Sequence, residues 1–163
     1  MLKYYLLIKY VITAFLKILT IFLLLGCSKT SISEENYHYN IPYGTILLIY
    51  GGQDHEEYLG KINASKYDSE SIWNEYGKYG NRYNSKSIWN EYGTYGSKYN
   101  NHSPFNDYAS NPPILVDKNG KFYGYFTSNK YKSKRANLKL IDIICDNHKA
   151  ISKNVSEWYD KIF

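Results

Sequence analysis

The densest group of ionisable side chains lies in the segment Gly51–Glu57, which reads GGQDHEE. Asp54, His55, Glu56 and Glu57 are residue types that ligate metals or act as acid and base. Adjacent loop residues point in divergent directions, however, and such sites are usually assembled from separated segments. We therefore predict a solvated turn here. The other histidines are isolated in the sequence, so we expect no metal and no cofactor.

A hydrolase would need acidic groups, and the candidates are Asp54, Glu56, Asp68 and Asp107. No nucleophile elbow, metal motif or recognisable pair of carboxylates accompanies them. We therefore expect a protein that is not an enzyme. An envelope hydrolase acting on cell-wall material stays the alternative.

Aromatic residues that could bind a ligand are concentrated in a tandem repeat. The unit SESIWNEYGKYGNRYN (69–84) is followed at once by SKSIWNEYGTYGSKYN (85–100), and the two agree at 12 of 16 positions. Tyr and Trp combine apolar faces with hydrogen-bonding edges, which suits sugars, peptides and protein partners. The repeats are thus either a binding surface or the core of a glycine-punctuated domain. For a surface, the predicted ligand-binding residues are Trp73, Tyr76, Trp89 and Tyr92.

Each repeat predicts a short helical turn that tertiary packing must stabilise. Ser71 is a good N-cap, Ile72–Tyr76 can form little more than one turn, and Gly77 is expected to end it in the left-handed conformation. Two copies of so short a unit fall short of a solenoid, which needs a longer period and at least three copies. The pattern therefore indicates a local duplicated motif inside one domain.

The segment 1–26 predicts a secretory signal peptide. It contains three lysines and no acids, and the apolar run Ile18–Leu25 ends just before Gly26 and Cys27. Leu24–Cys27 resembles the lipobox of bacterial lipoproteins, in which the cysteine is lipidated and begins the mature chain. Cys27 is therefore the predicted lipidation site.

An uncleaved transmembrane anchor from Tyr4 to Gly26 is the alternative. Lys9 and Lys17 interrupt it, and each costs about 2.5 to 3.5 kcal/mol at the membrane centre. Either way, residues 28–163 lie outside the cytoplasm and are attached to a membrane. After cleavage, Ser28 follows the lipidated cysteine in place of Asp, which resembles the outer-membrane sorting signal of diderm bacteria.

The charge balance argues against a nucleic-acid partner. Of the 20 Lys and Arg residues, three lie in the leader, which leaves 17 against 15 acids and a net charge of +2. Nucleic-acid binding calls for a concentrated basic face. The expected partners are instead the membrane, through the lipid, and a cell-wall glycan or an envelope protein. Cys145 is left without a cysteine partner and is expected to be buried and inert.

Apolar periodicity predicts a small α+β domain at 41–163, preceded by a polar tether at 27–40. Thr45–Tyr50 and Glu57–Asn63 form one predicted hairpin, whose first strand is apolar on both faces and should be covered on each. Ile114–Phe126 forms a second hairpin around an Asn-Gly turn. The segment between the repeats and this hairpin, SPFNDYASNPP, is expected to be an ordered loop. Beyond residue 133, one or two helices are expected to pack on the sheet.

From Leu59 to about Tyr131, the chain resembles a group of bacterial exported proteins of unknown function. The resemblance is carried by the tandem S-I-W-N-x-Y-G-x-Y-G-x-x-Y units, followed by S-P-F-N-x-Y, N-P-P and V-D-x-x-G-x-F-Y-G-Y. Members of that group often have cysteines where this chain has Lys61 and Ala64, so any role of those cysteines is absent here. The resemblance implies an envelope location and no particular activity.

Overall fold

The computed structural model describes residues 43–163. The predicted signal peptide (1–26), the predicted lipidation site Cys27 and the tether (27–40) lie outside the described residues. The predicted start of the domain at residue 41 does so too. Within residues 43–163, no helix is both long enough and apolar enough to cross a membrane.

The two hairpins that the sequence predicts join into a single four-stranded antiparallel sheet. Strands β1 (Leu48–Gly51) and β2 (Glu57–Lys61) form the first hairpin. Strands β3 (Ile114–Val116) and β4 (Phe122–Tyr125) form the second. Because β3 also pairs with β1, the strand order is β2-β1-β3-β4.

Strand β1 contributes one face to the core. Ile49, which lies opposite Leu115, is fully buried, as is its partner, and both belong to a cluster that includes the repeats and the helices. Leu48 and Tyr50 point to the other face and are half-buried. The sequence predicted that both faces of this strand are covered. In the structure one face is fully covered and the other is only partly covered.

Two C-terminal helices complete the α+β fold. Helix α1 covers Lys139–Ile151, and helix α2 covers Val155–Ile162. Ile144 from α1 and Val155 from α2 are buried in the same cluster as the sheet. Of the one or two helices that the sequence predicts, the structure contains two, and the predicted α+β fold class is confirmed.

Between β2 and β3, the repeats wind into three stacked coils, residues 65–80, 81–96 and 97–109, which we call the turn spiral. Each coil is a run of turns in which a carbonyl oxygen accepts from the amide three residues on. Ser71, for example, accepts from Asn74 at 3.3 Å, and Asn74 accepts from Gly77 at 2.9 Å. One wider turn leads from each coil to the next, from Gly77 to Asn81 and from Gly93 to Ser97.

The side chain of the first residue in each of these turns forms a second hydrogen bond with the backbone. Ser71 Oγ accepts from the amide of Trp73 at 3.1 Å, and Asn74 Oδ1 accepts from the amide of Tyr76 at 3.2 Å. Short Ser, Asp and Asn side chains favour turns because they can bond the backbone two residues on. This chemistry recurs in all three coils and explains the Ser and Asn periodicity of the sequence.

Three details of the predicted repeat need correction. The short turns exist, but each is a single turn closed by a bond between residues three apart, and its last residue begins the next turn. Gly77 does not have the left-handed conformation, because the chain does not leave a helix there. The segment expected to be a loop contains a third, divergent copy, Ser103–Ala109, whose bonding matches that of Ser71–Gly77.

Replacing Gly96 by alanine should destabilise the protein more than replacing Gly93. A Cβ at Gly96 would overlap the backbone oxygens of Ile88 and Asn90, whereas at Gly93 it would meet only the Asn90 side chain at 3.1 Å. The third coil already carries Ala109 at the position of Gly93.

We expect Gly96→Ala to lower the free energy of unfolding by about 2 kcal/mol and Gly93→Ala by well under that amount, measured by urea denaturation. Equal losses in the two variants would contradict the coil geometry.

Candidate ligand-binding groove

The same interior position of each coil holds a large aromatic ring. Trp73, Trp89 and Phe105 stack along the spiral, with ring centroids 5.6 Å and 6.1 Å apart. They are 0%, 2% and 5% exposed, and each indole N–H donates to a backbone oxygen, Trp73 to Ile62 and Trp89 to Ile72. Trp73 and Trp89 are therefore core residues, and the surface interpretation does not apply to them.

The predicted tyrosines have the opposite environment. Tyr76 is 88% exposed and Tyr92 is 90% exposed, and each follows an acidic residue. The third coil repeats the arrangement with Asp107 and Tyr108, which is 91% exposed. These residues form the acidic row, which consists of Glu75, Tyr76, Glu91, Tyr92, Asp107 and Tyr108.

A second row of exposed tyrosines follows basic residues. Its rings are 79% to 83% exposed, and each carries the preceding cation over its face. The distances from cation to ring centroid are 5.6 Å for Lys66, 5.4 Å for Arg82 and 4.8 Å for Lys98. The basic row consists of Lys66, Tyr67, Arg82, Tyr83, Lys98 and Tyr99.

The tyrosines between these rows point inward and fasten the spiral to the sheet. Tyr79 is 8% exposed and lies against Tyr58 of β2, with centroids 5.2 Å apart. Tyr95 is 7% exposed and packs beside Gly51 of β1, where a Cβ would lie 3.1 Å from its ring. Because each turn changes the direction of the chain, two tyrosines three residues apart in one repeat lie on different sides of the spiral, one exposed to solvent and one against the sheet.

Four adjoining cavities run along the spiral, of 200, 220, 570 and 760 Å³. Neighbouring cavities share lining residues: Tyr76 joins the first two, Arg82 the middle two and Lys98 the last two. We call this continuous depression the tyrosine groove. In order, the cavities contain Tyr67 and Tyr76, Tyr76 and Tyr83, Tyr92 and Tyr99, and Tyr108.

The C-terminal helices supply the opposite wall of the groove. Lys149, Ser152 and Lys153 line it near the end of α1. His148 stacks on Phe105 with centroids 4.3 Å apart and planes 10° apart, and its Nδ1 lies 2.9 Å from the Cys145 carbonyl oxygen. The imidazole therefore joins the helix to the third coil.

Cys145 and Tyr76 have perturbed acidities with different causes. Burial raises the pKa of the Cys145 thiol to about 12, so it stays protonated at neutral pH, as expected for an inert cysteine. The Glu75 carboxylate raises the pKa of Tyr76 by accepting its hydrogen bond. Tyr76 therefore presents a phenol hydroxyl that is bonded to the neighbouring Glu75 carboxylate.

The Gly51–Glu57 loop forms the predicted exposed turn, and the protein holds it at two points. His55 Nε2 lies 3.0 Å from the Pro112 carbonyl oxygen, and the Asn111 amide donates to the Gly52 and Gln53 oxygens, both at 2.7 Å. Within residues 43–163, no three His, Cys, Asp or Glu side chains converge as a metal site would require.

The candidate hydrolase acids are not brought together. Asp54 and Glu56 are exposed in the loop. Asp68 accepts from the Glu70 amide at 2.8 Å and from Lys61 Nζ at 3.0 Å, and these bonds lower its pKa. Asp107 accepts from the Ser128 hydroxyl at 2.6 Å. The last two carboxylates therefore stabilise the turn spiral and its junctions.

The chain matches no protein-family model, no curated protein and no solved structure. The resemblance to bacterial exported proteins therefore stays a prediction. Lys61 and Ala64, which stand where those exported proteins often have cysteines, lie where β2 joins the first coil. Lys61 is paired with Asp68 and with Glu70, at 2.8 Å from the latter, and the Ala64 oxygen accepts from Ser71 at 3.1 Å.

Several groove residues were missed at the sequence level. The basic row carries a visible signal, because a cation followed by Tyr recurs with the period of the repeat, at positions 66, 82 and 98. The acidic row has the same period and continues into the third copy. His148, Lys149, Ser152 and Lys153 carry no such signal, since only tertiary packing brings α1 against the coils.

Trp89 and Tyr92, three residues apart, should respond very differently to replacement by alanine. Truncating the buried indole removes packing on two coils, which costs about 3 to 5 kcal/mol of unfolding free energy. Truncating the exposed phenol should change it by no more than about 0.5 kcal/mol. Thermal or urea denaturation measures both, and a strongly destabilised Tyr92→Ala protein would place that ring in the core.

Proposed function

We propose that the protein is a non-enzymatic binding module that holds a linear polyhydroxylated polymer, an envelope glycan, along the tyrosine groove. The observation that carries this proposal is the set of six exposed tyrosines, two in each coil, all of which line the groove. The regular period of these rings favours a partner that is itself regular.

Exposed rings on an ordered backbone are well suited to binding. Tyrosine gives a large, rigid contact area with a polar edge at low cost in side-chain entropy. The spiral holds its backbone by one or two hydrogen bonds in each turn, so the rings are displayed at fixed positions. Large aromatic side chains that are clustered and exposed along one surface of a folded domain mark an interaction site.

The polar groups between the rings favour a glycan over a protein partner. Each coil places one carboxylate and one cation beside its tyrosines, so acceptors and donors of hydrogen bonds alternate along the groove. Sugar hydroxyls both donate and accept. The interior rings of successive coils have centroids 5.6 Å and 6.1 Å apart, so the groove residues recur at short intervals along the spiral, as do the units of a sugar polymer. The structural roles of Asp68 and Asp107 favour binding over hydrolysis.

The location of this module is part of the proposal. A lipid on Cys27 would attach the domain to the envelope membrane, the outer membrane where the cell has two, and the polar tether at 27–40 would separate the groove from the lipid surface. An envelope glycan would then lie within reach of the groove.

The test is calorimetric titration of the full chain in detergent with glycan strands from peptidoglycan and with envelope polysaccharides. We expect saturable binding to one of them. Tyr92→Ala and Tyr99→Ala should each weaken it about 5- to 10-fold, because each removes a central stacking ring.

The matched control is Tyr43→Ala, which removes a fully exposed tyrosine outside the groove and should leave the affinity unchanged. Absence of binding by the folded protein, or equal losses in all three variants, would contradict the proposed function.

A further inference from the structure

We infer that the central cavity of the tyrosine groove, of 570 Å³, is an anion site and that the bound glycan is an acidic polysaccharide. This inference rests on the proposed function and adds the charge of the ligand. The anionic group would be a carboxylate or a phosphodiester carried at intervals along the sugar chain.

Four cations from separate parts of the chain line this cavity: Arg82, Lys98, Lys149 and Lys153. Glu91 is the single acidic residue among the described residues that line it. Within residues 43–163, none of the four cations forms an ion pair, although Lys61, Lys66 and Lys86 all do. Four cations against one carboxylate leave an excess of positive charge, and the resulting positive potential attracts an anion.

The end of helix α1 explains only part of this cluster. Cations near a helix C-terminus are favoured by the helix dipole, which accounts for Lys149 in the last turn. Arg82 and Lys98 belong to the second and third coils, and no helix end explains them. Their guanidinium and ammonium groups lie over the rings of Tyr83 and Tyr99, which keeps them on the groove surface.

The four cations of this cavity also border the two adjoining cavities. Arg82 and Lys153 also line the 220 Å³ cavity, while Lys98 and Lys149 also line the 760 Å³ cavity. A ligand with anionic groups along its length can therefore meet cations in successive cavities. A single small anion would use only one of them.

The acidic row distinguishes a sugar polymer from a nucleic acid. Glu75, Glu91 and Asp107 line the same groove, one in each coil. A nucleotide unit offers at most one free sugar hydroxyl beside its phosphate, whereas each unit of an acidic sugar polymer carries several hydroxyls that can donate to these carboxylates. The modest net charge of residues 27–163 agrees with this choice.

The decisive experiment compares oligogalacturonate with its fully methyl-esterified form, which has the same sugar backbone without the charge. The full chain in detergent is titrated with both by calorimetry, and with poly(glycerol phosphate) as a phosphodiester probe. We expect oligogalacturonate or poly(glycerol phosphate) to bind at least about 10-fold more tightly than the ester, with the difference reduced by high salt.

Variants that lack a cation test whether this cavity causes the preference for the anionic polymer over its ester. Arg82→Gln and Lys98→Gln should each weaken binding of the anionic polymer about 5- to 10-fold and weaken binding of the ester by a clearly smaller factor, because the ester loses only a hydrogen bond. Lys118→Gln, an exposed lysine outside the groove, is the matched control and should change neither affinity.

The titrations either support or overturn the anion site, depending on which polymer binds. Preference for oligogalacturonate that depends on Lys98 supports a carboxylate ligand, and preference for poly(glycerol phosphate) supports a phosphodiester. Equal affinity for the acid and its ester overturns the anion site but leaves the proposed function standing. Binding of peptidoglycan strands without binding of either anionic polymer overturns it in the same way.

Discussion

The turn spiral depends on one local interaction, the closure of each turn by its first residue. Asn90 illustrates it: its carbonyl accepts from Gly93, its side-chain oxygen accepts from Tyr92, and its side-chain amide donates to Asn84 at 3.2 Å. The backbone polar groups are thereby satisfied inside the coil, without a helix or a sheet ladder. Because each turn redirects the chain, side chains a few residues apart reach different surfaces.

That redirection allows one short repeat to fulfil three roles. Trp89 stacks between its counterparts in neighbouring coils, Tyr95 fastens the coil to the sheet, and Tyr92 lies on the groove. Gly96 keeps the interior narrow, since a side chain there would overlap the backbone of the same coil. The sheet contacts the spiral through Tyr58, which lies against Tyr79, and helix α1 contacts the third coil through His148, which stacks on Phe105.

Local patterns predicted much of this architecture because they depend on neighbours in sequence. Asn119-Gly120 marks the second hairpin, and Gly120 has the expected positive φ of 79°. The apolar spacing beyond residue 133 likewise predicted helical structure, although it left open whether there is one helix or two. The coil geometry was not predicted, because Ser71 before an apolar stretch resembles a helix N-cap and its side chain makes a similar bond in a turn.

The candidate site was predictable only in part. Tyr76 and Tyr92 were identified, but Trp73 and Trp89 looked equally suited to a ligand, and nothing local separates a buried indole from an exposed phenol. The helix wall was not predictable, since Lys149 and Lys153 meet Arg82 and Lys98 only in the folded protein. The charge of the groove is therefore a property of tertiary structure, which the nearly neutral composition conceals.

Hydroxyl-radical footprinting of the folded protein tests the central claim most directly, because oxidation follows side-chain exposure. Within each repeat, the spiral places one tyrosine outside and its neighbour three residues on inside. The account predicts rapid oxidation of Tyr76 and Tyr92 and strong protection of Tyr79 and Tyr95, lost on unfolding in urea. Equal rates for all four tyrosines in the folded protein would contradict the turn spiral and the groove built on it.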